Sequence, residues 1–170
     1  MDNFKNCLAF VLQAEGDYSD DPADPGNWTS GVVGGGALHG TKCGISAAAY
    51  PTLDIRNLTR QQIEDIYRQD YFIPVHGDDL PLPLAMIAFD AAVNAGVRRS
   101  VVWLQQSAGV TADGMLGDVT LRALNGGSPS VLANDALARR LDYYAGLPNW
   151  TKFGLGWARR ILSLAQKIQS

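Results

Sequence analysis

The strongest constraint on the fold is the contrast between helical patterning along most of the chain and one glycine-rich segment near its start. Residues 16–44 contain eight of the 18 glycines, and glycine, proline, aspartate and serine break the helical period between residues 15 and 50. Elsewhere apolar residues recur at helical spacing, and no alternating stretch is long enough to indicate a strand. The sequence therefore predicts a mainly α protein, a bundle of about seven helices with a loop or short hairpin inserted near the N-terminus.

Local signals mark where several of these helices begin and end. Residues 84–93 are apolar nearly all round, which predicts a buried central helix that ends at Gly96. Gly109 is placed to end the next helix, over residues 98–108, as a C′ glycine.

Polar residues indicate three helix starts. Thr59 and Gln62 have the spacing of a capping box. Ser128 stands directly before a proline, and Asn149 precedes the last helical pattern, so each is predicted to act as an N-cap.

Composition and charge exclude several classes of protein. The 170 residues are 46% hydrophobic and 18% charged, enough for a folded core. Residues 1–90 carry 5 basic and 13 acidic side chains, and residues 91–170 carry 9 and 4, a net charge of −8 followed by +5. This asymmetry can steer an anionic partner toward the C-terminal half. Basic residues are not interleaved with aromatic ones, so we expect no nucleic-acid partner.

The start of the chain and its cysteines indicate the compartment. No apolar run approaches the ~20 residues of a membrane span. The first residues lack a basic region followed by a long apolar core, so we expect synthesis in the cytoplasm without a signal peptide. Cys7 and Cys43 are then expected to be reduced thiols.

Glu15 is the carboxylate that the helical pattern singles out. Phe4, Leu8 and Leu12 form the apolar stripe of the first predicted helix, residues 3–14, and Glu15 continues that stripe at its end. A carboxyl group at such a partly desolvated place keeps its proton to a higher pH than one in water, as a glycosidase general acid requires. The alternative for Glu15 is a helix-terminal residue that reaches solvent, although the helix dipole disfavours it.

The loop after Glu15 holds four aspartates, Asp17, Asp20, Asp21 and Asp24. Their spacing fits a calcium loop poorly, and no glutamate follows at the bidentate position, so we expect no metal. The alternative is that one of them supplies the second carboxylate of a glycosidase pair with Glu15.

Residues 15–26, EGDYSDDPADPG, resemble the EGGYSNDPxDPGG signature of glycoside hydrolase family 108, which comprises phage and bacterial N-acetylmuramidases with a lysozyme-like fold. Further segments resemble the family pattern in the same order: TKCGIS at 41–46, IYRQDYF at 66–72, FDAAVNAG at 89–96 with WLQQ at 103–106, ADGMLG at 112–117 with TLRAL at 120–124, and FGLGWARR at 153–160. The resemblance covers essentially the whole chain.

This resemblance implies that Glu15 is the catalytic acid. Phage-type lysozymes more broadly have an aspartate nine positions after the glutamate and then a threonine on a hairpin. That pattern implies Asp24 and Thr41 here, with Asp20 and Asp21 as competitors of Asp24. These residues would orient the attacking water or stabilise positive charge at the anomeric carbon, and no cofactor is implied.

Five side chains are expected to contact the glycan: Tyr18, Trp28, Tyr50, Tyr71 and Asn94. Trp28 lies in residues 27–40, which are longer than the corresponding connection of the family. That segment is either a tolerated surface insertion or a mobile lip over the glycan groove, in which Trp28 stacks on a sugar. Tyr71 has the alternative of packing against Tyr67, four residues earlier.

Two single residues depart from the family pattern. Asp17 stands where the family usually has glycine, which adds a like charge two residues from Glu15. Cys43 replaces the usual aromatic residue, which removes one expected sugar-stacking contact.

The resemblance also implies an organisation and a function. A lysozyme-like catalytic region would cover residues 1–80, and a helical peptidoglycan-binding half would cover residues 81–170, the two packed as one globular unit. The expected activity is hydrolysis of the β-1,4 bond between N-acetylmuramic acid and N-acetylglucosamine, with lysis of the bacterial wall. The alternatives are a lytic transglycosylase, and a non-catalytic wall-binding module or partner of a secretion machine.

The expected partner is the peptidoglycan glycan strand, bound by a monomer. The protein would act in the periplasm or cell wall after release, as a phage endolysin does, or after injection, as an interbacterial toxin does. In the second case a dedicated immunity protein would plug the cleft.

Overall fold

The computed structural model describes residues 2–169, apart from the side chain of Ala14, and confirms a mainly helical, lysozyme-like fold. Seven α-helices lie within these residues: α1 (Asn3–Ala14), α2 (Arg60–Tyr67), α3 (Leu82–Ala95), α4 (Val97–Ser107), α5 (Asp118–Gly126), α6 (Pro129–Ala145) and α7 (Trp150–Lys167). A 3-10 turn covers Pro25–Asn27, and a π-helical turn covers Arg68–Phe72. Between residues 2 and 169, no helix is long and apolar enough to cross a membrane.

The inserted region contains a small antiparallel sheet rather than a single hairpin. Its strands are β1 (Tyr18–Ser19), β2 (Thr41–Lys42) and β3 (Ile45–Ser46), in the order β1-β2-β3. Each strand has only two residues, so period-two alternation has no room to show in the sequence.

The chain divides into two compact units. One is Leu8–Tyr67, which contains the sheet and α2. The other joins Met1–Cys7 to Arg68–Ser170. The change from one unit to the other therefore falls inside α1 and again directly after α2. The functional division predicted at residue 80, and the packing of both halves as one unit, stay predictions.

The core of unit Leu8–Tyr67 is built from the second half of α1, the sheet and α2. Its buried apolar side chains are Leu8, Val11, Ile45, Ala47, Ile55, Leu58, Ile63 and Tyr67. The predicted capping box at the start of α2 is confirmed: the Thr59 N–H donates to Gln62 Oε1 at 2.8 Å, and the Gln62 N–H donates to Thr59 Oγ1 at 3.3 Å. These two bonds satisfy backbone donors that the first turn leaves unpaired.

The core of the other unit is centred on α3, as its apolar pattern predicted. Residues 84–92 are all buried. The rings of Phe4, Phe72 and Phe89 meet edge to face with centroids 5.1–6.2 Å apart, a favourable arrangement for aromatic quadrupoles. The start of α1 thus belongs to the same core as α3.

A buried ion group joins three helices of this unit. Asp90 on α3 accepts from Arg140 Nη1 of α6 at 2.6 Å and from Arg160 Nε of α7 at 2.9 Å. Asp90 and Arg140 are at most 1% exposed. Charges removed from water to this degree are tolerated only when they are paired, so the position of each helix depends on the other two.

The predicted caps lie at their predicted positions, but two of the side chains make no capping hydrogen bond. Gly109 has φ 68°, and the bonds Gly109 N–H to Gln106 O and Val110 N–H to Gln105 O form a Schellman motif after α4. Ser128 and Asn149 do precede α6 and α7, but neither side chain makes a capping hydrogen bond. The Ser128 hydroxyl lies 3.2 Å from that of Ser130 instead.

Candidate active site

Glu15 is the first residue after α1 and is half-buried. Directly after it, the backbone enters the sheet: Gly16 O accepts from the Cys43 N–H at 3.1 Å, one step beyond the β1–β2 ladder. Cys43 and Gly44 form the turn between β2 and β3 with φ 49° and 76°, the two positive values that a type I′ turn requires. This bond brings the turn to the end of α1.

The Glu15 carboxylate packs against the backbone of this turn. A Cβ atom on Gly44 would lie 2.9 Å from Glu15 Oε2 and 2.8 Å from the Tyr67 hydroxyl oxygen. Tyr67 is 2% exposed and donates its hydroxyl proton to Cys43 O at 2.8 Å. The arrangement therefore holds an acid between the end of one helix, a glycine turn and a buried tyrosine.

Gly44 and Tyr67 are the site residues that sequence reasoning missed. The sequence analysis includes Gly44 only within the TKCGIS segment, and Tyr67 only within the IYRQDYF segment and as a possible packing partner of Tyr71. The available signal was Gly44 itself, because glycine is favoured at the central positions of a type I′ turn, but it does not indicate what lies against the turn.

The aspartates of the loop have structural contacts of their own. Asp24 is exposed, and its Oδ1 accepts from the Gly26 N–H at 2.8 Å, which caps the 3-10 turn. Asp21 accepts from the Ala23 N–H at 2.9 Å, and Asp20 pairs with Arg56 at 2.7 Å. Which aspartate assists Glu15 stays a prediction. Among residues 2–169, no group of three or more His, Cys, Asp or Glu side chains could hold a metal ion.

Thr41 lies in the middle strand of the sheet. It pairs with Ser19 on one side and Ser46 on the other, and it is half-buried. Paired residues point to the same face, so three hydroxyl side chains share one face of the sheet, while Tyr18 and Lys42 share the other.

Of the predicted glycan contacts, Tyr18, Trp28 and Tyr50 lie in the same unit as Glu15, and all three are half-buried. The Tyr18 hydroxyl donates to His39 O at 3.2 Å. The Trp28 indole N–H donates to Pro22 O at 2.9 Å, which ties the ring to the aspartate loop.

Tyr71 and Asn94 lie in the other unit. Tyr71 is half-buried within the π-helical turn. Asn94 is exposed near the end of α3, and its amide donates to Asp90 O at 2.8 Å. Contact of these five residues with glycan stays a prediction.

The long segment 27–40 is closed on itself by hydrogen bonds. Thr29 N–H donates to Ala37 O and the Ala37 N–H donates to Thr29 Oγ1, both at 2.9 Å, while Asn27 O accepts from the N–H groups of His39 and Gly40 at 3.0 Å. The side chain of Asn27 is buried and donates to Asp21 O. The glycine-rich insertion is therefore anchored at its base to the aspartate loop.

Comparisons with known proteins agree with this architecture. Residues 8–96 match the family described as Glycosyl hydrolase 108, and residues 99–162 match the family described as Predicted Peptidoglycan domain. The solved structure of Brucella abortus SagA is similar, with a TM-score of 0.82 and 31% sequence identity over 98% of this chain and 93% of that chain. No curated protein matches the chain.

Together, the two family matches and the similar solved structure define the class of the protein, a glycoside hydrolase that acts on peptidoglycan. The chain belongs to the glycosyl hydrolase 108 family, and the resemblance seen in its motifs is confirmed.

Proposed function

We propose that the protein is an N-acetylmuramidase. It hydrolyses the β-1,4 bond between N-acetylmuramic acid and N-acetylglucosamine and thereby lyses the bacterial cell wall. The observation that carries the proposal is the half-buried Glu15, whose carboxylate is packed against Gly44 and Tyr67 in a chain of this family. A general acid has to be held in one place to reach the leaving oxygen.

In the proposed mechanism, Glu15 gives its proton to the glycosidic oxygen as the bond to the anomeric carbon breaks. Water oriented by Asp24 or Thr41 then adds to the oxocarbenium-like carbon and gives a proton to the Glu15 or Asp24 carboxylate, which leaves a reducing end. The net charge of +5 over residues 91–170 supports a role of that half in holding the anionic polymer.

The test is mass spectrometry of the muropeptides released from purified walls by the wild-type protein and by Glu15→Gln. The glutamine keeps the shape of the side chain but cannot donate the proton, so we expect release to fall at least about 100-fold. Products with reducing ends are expected. Products with 1,6-anhydro ends would instead identify a lytic transglycosylase, and equal release by both proteins would indicate a non-catalytic wall-binding module or secretion partner.

The route to the wall has two versions within this proposal. The protein acts in the periplasm or wall as a monomer, either after phage-type release through a holin or after injection into a competing cell. An injected toxin implies a bound immunity protein that covers the cleft. Purification of the chain from its native cells separates the two, because only the toxin is expected to copurify with a tight inhibitor.

A further inference from the structure

A concave site lies in unit Leu8–Tyr67. It is a cleft of about 470 Å³, and Tyr18, Leu38, His39, Asp54 and Arg56 are among the residues that line it, whereas Glu15 is not. Leu38 and His39 come from the insertion 27–40, so the segment that is longer than the family connection forms one wall of the cleft.

Arg56 is the cation that this unit directs toward the cleft. The unit has three Lys or Arg residues, Lys42, Arg56 and Arg60. Lys42 Nζ donates to two backbone carbonyls at 3.0 and 2.8 Å, and Arg60 Nε is paired with Glu64 at 2.6 Å. The Arg56 side chain is 63% exposed and contacts Asp20 through Nη2. The guanidinium also interacts with the Tyr18 side chain. Because a guanidinium has five N–H donors, these two contacts leave others for a second anion.

The cleft also carries a negative charge. The Asp54 carboxylate accepts from the side-chain amide of Asn57 at 2.9 Å and from its backbone N–H at 3.4 Å. These bonds from Asn57 lower the pKa of Asp54 below its ordinary value, and His39 and Arg56 add to the effect. Asp54 is therefore ionised at neutral pH, and the cleft offers both a cation and an anion.

This pair of charges selects among the parts of a peptidoglycan strand. The sugar backbone offers mainly neutral hydroxyl and acetamido groups, whereas the peptide stems carry free carboxylates and amines. The guanidinium of Arg56 lies 4.7 Å from the centre of the Tyr18 ring, so one face of that ring is already covered and is closed to a stacked sugar.

We propose that the cleft binds the peptide stem of the substrate, with a stem carboxylate on Arg56 and a stem amine on Asp54. Leu38 offers an apolar contact for the stem's aliphatic side chains. The inference rests on the proposed function only in taking peptidoglycan as the ligand. It also gives the insertion 27–40 a role, because this segment completes a site that recognises the peptide rather than the sugar.

The experiment titrates the full chain carrying Glu15→Gln with two soluble probes, followed by NMR or calorimetry. One probe is the disaccharide with a peptide stem that has a free amine and carboxylate, and the other is the same disaccharide without the peptide. We expect Arg56→Gln in this background to weaken binding of the first probe about tenfold, the size of one lost charge-assisted contact, and to leave binding of the second unchanged. Asp54→Asn is expected to weaken binding only while the stem amine is free and not acetylated.

Two matched variants test whether the weaker binding of the stem probe by Arg56→Gln comes from the loss of this guanidinium or from a change of fold or net charge. Arg60→Gln makes the same charge change elsewhere in the unit. Asp20→Asn breaks the Arg56 ion pair but keeps the guanidinium. Both are expected to bind the stem probe as tightly as the parent.

Three results would overturn the proposal: no binding of the stem probe by the parent, equal weakening of both probes by Arg56→Gln, or equal weakening by Asp20→Asn and Arg56→Gln. The titration needs no hydrolysis. Failure of the muramidase proposal, read from muropeptides released by the wild-type protein, is therefore a separate outcome.

Discussion

A hydrogen atom in place of a side chain at residue 44 decides where the Glu15 carboxylate can lie. Because a Cβ there would come within 3 Å of both Glu15 Oε2 and the Tyr67 hydroxyl, only glycine lets the turn approach the acid so closely. The positive φ of 76° favours glycine independently. One residue thus serves both the turn and the site.

Gly44→Ala separates these two demands when it is compared with Gly34→Ala. Gly34 has a similar φ of 78°, but a Cβ there meets nothing within 4 Å. We expect each substitution to lower the free energy of unfolding by about 1–2 kcal/mol, because alanine is strained in the left-handed backbone conformation. Only Gly44→Ala also displaces the Glu15 carboxylate, so the rate at which this variant hydrolyses purified walls is expected to fall about 100-fold. Equal rates for the two variants in a turbidity assay would contradict the assigned contact.

The two cysteines are predicted to differ in reactivity. Burial of Cys7, which is 1% exposed, raises the pKa of its thiol from 9.0 to about 12, whereas Cys43 is half-buried. At pH 8 one thiol per chain is expected to react with Ellman's reagent in the native state and two in denaturant. The unfolded thiol ionises first, so the stabilising contribution of Cys7 is complete below pH 9 and is lost as the pH rises toward 12.

Cys7→Ala is expected to flatten this alkaline loss of stability, measured by urea unfolding between pH 8 and 11. Cys43→Ser is the control and should keep the loss. Rapid native labelling of both thiols would refute the burial of Cys7.

At this scale sequence reasoning singled out Glu15 as a candidate but did not predict its surroundings. The apolar stripe of α1 ends at Glu15, which is a local pattern. Gly44 and Tyr67 lie far along the chain from it, and their approach depends on the turn and on α2, which no local period encodes. The sequence suggested only that Asp24 could assist, since loop aspartates form local turns as readily as they serve chemistry.

At the scale of elements, the loop between α4 and α5 is organised by one buried side chain. Gln105 is 1% exposed; its amide nitrogen donates to Asp113 Oδ1 at 2.7 Å and to Met115 O at 2.9 Å, and its Oε1 accepts from the Gly114 N–H at 2.8 Å. The hydrogen bond from Gln105 lowers the pKa of the Asp113 carboxyl group, and the bond from the Met115 N–H adds a smaller lowering. The ADGMLG motif is thus shaped by a glutamine that precedes it.

Gln105→Met is therefore expected to lower the free energy of unfolding by about 2–3 kcal/mol, because buried loop groups lose their partners. Gln106→Met, at the exposed neighbouring position, is the control and should change it by less than about 0.5 kcal/mol. Urea unfolding measures both, and equal stabilities would show that the loop holds its shape without Gln105.

Elements with a local signal were predictable, and those without one were not. The capping box of Thr59 and Gln62 and the C′ glycine Gly109 are encoded within a few residues, and both are confirmed. Ser128 and Asn149 stand at the predicted helix starts, but their side chains make no capping hydrogen bond. A serine or asparagine can adopt the capping rotamer, but the residue type alone does not determine which rotamer it takes. The two-residue strands are too short to produce an alternating apolar and polar pattern in the sequence.

At the scale of the whole molecule, the buried charges of Asp90, Arg140 and Arg160 are the most sensitive long-range contacts. Asp90→Asn would leave a fully buried guanidinium without its counter-ion, so we expect a loss of about 3–5 kcal/mol in unfolding free energy. Asp142→Asn, exposed on α6, should change it by less than about 0.5 kcal/mol. Thermal and urea unfolding test this, and near-equal stabilities would contradict the role of the ion group.

The fold class was predictable at this scale, but the ion group was not. Helical periodicity and the order of motifs indicate a mainly helical member of the family, and both are confirmed. Asp90 and Arg160 even lie inside the motifs that carry the resemblance. Asp90 lies 50 positions before Arg140 and 70 before Arg160, so the ion group follows from the packing of α3, α6 and α7 and not from any local pattern.

The division inside α1 has a consequence for the order in which the chain can fold. Asn3 donates to Gly77 O and Leu80 O, 74 and 77 residues further along, and Phe4 packs on Phe72. During synthesis these first residues leave the ribosome long before their partners. All residues of the unit Leu8–Tyr67, in contrast, have been synthesised before residues 68–170 follow. An excised C-terminal fragment that starts at residue 68 lacks them, so a graft of that unit has to carry the first turns of α1 as a separate peptide.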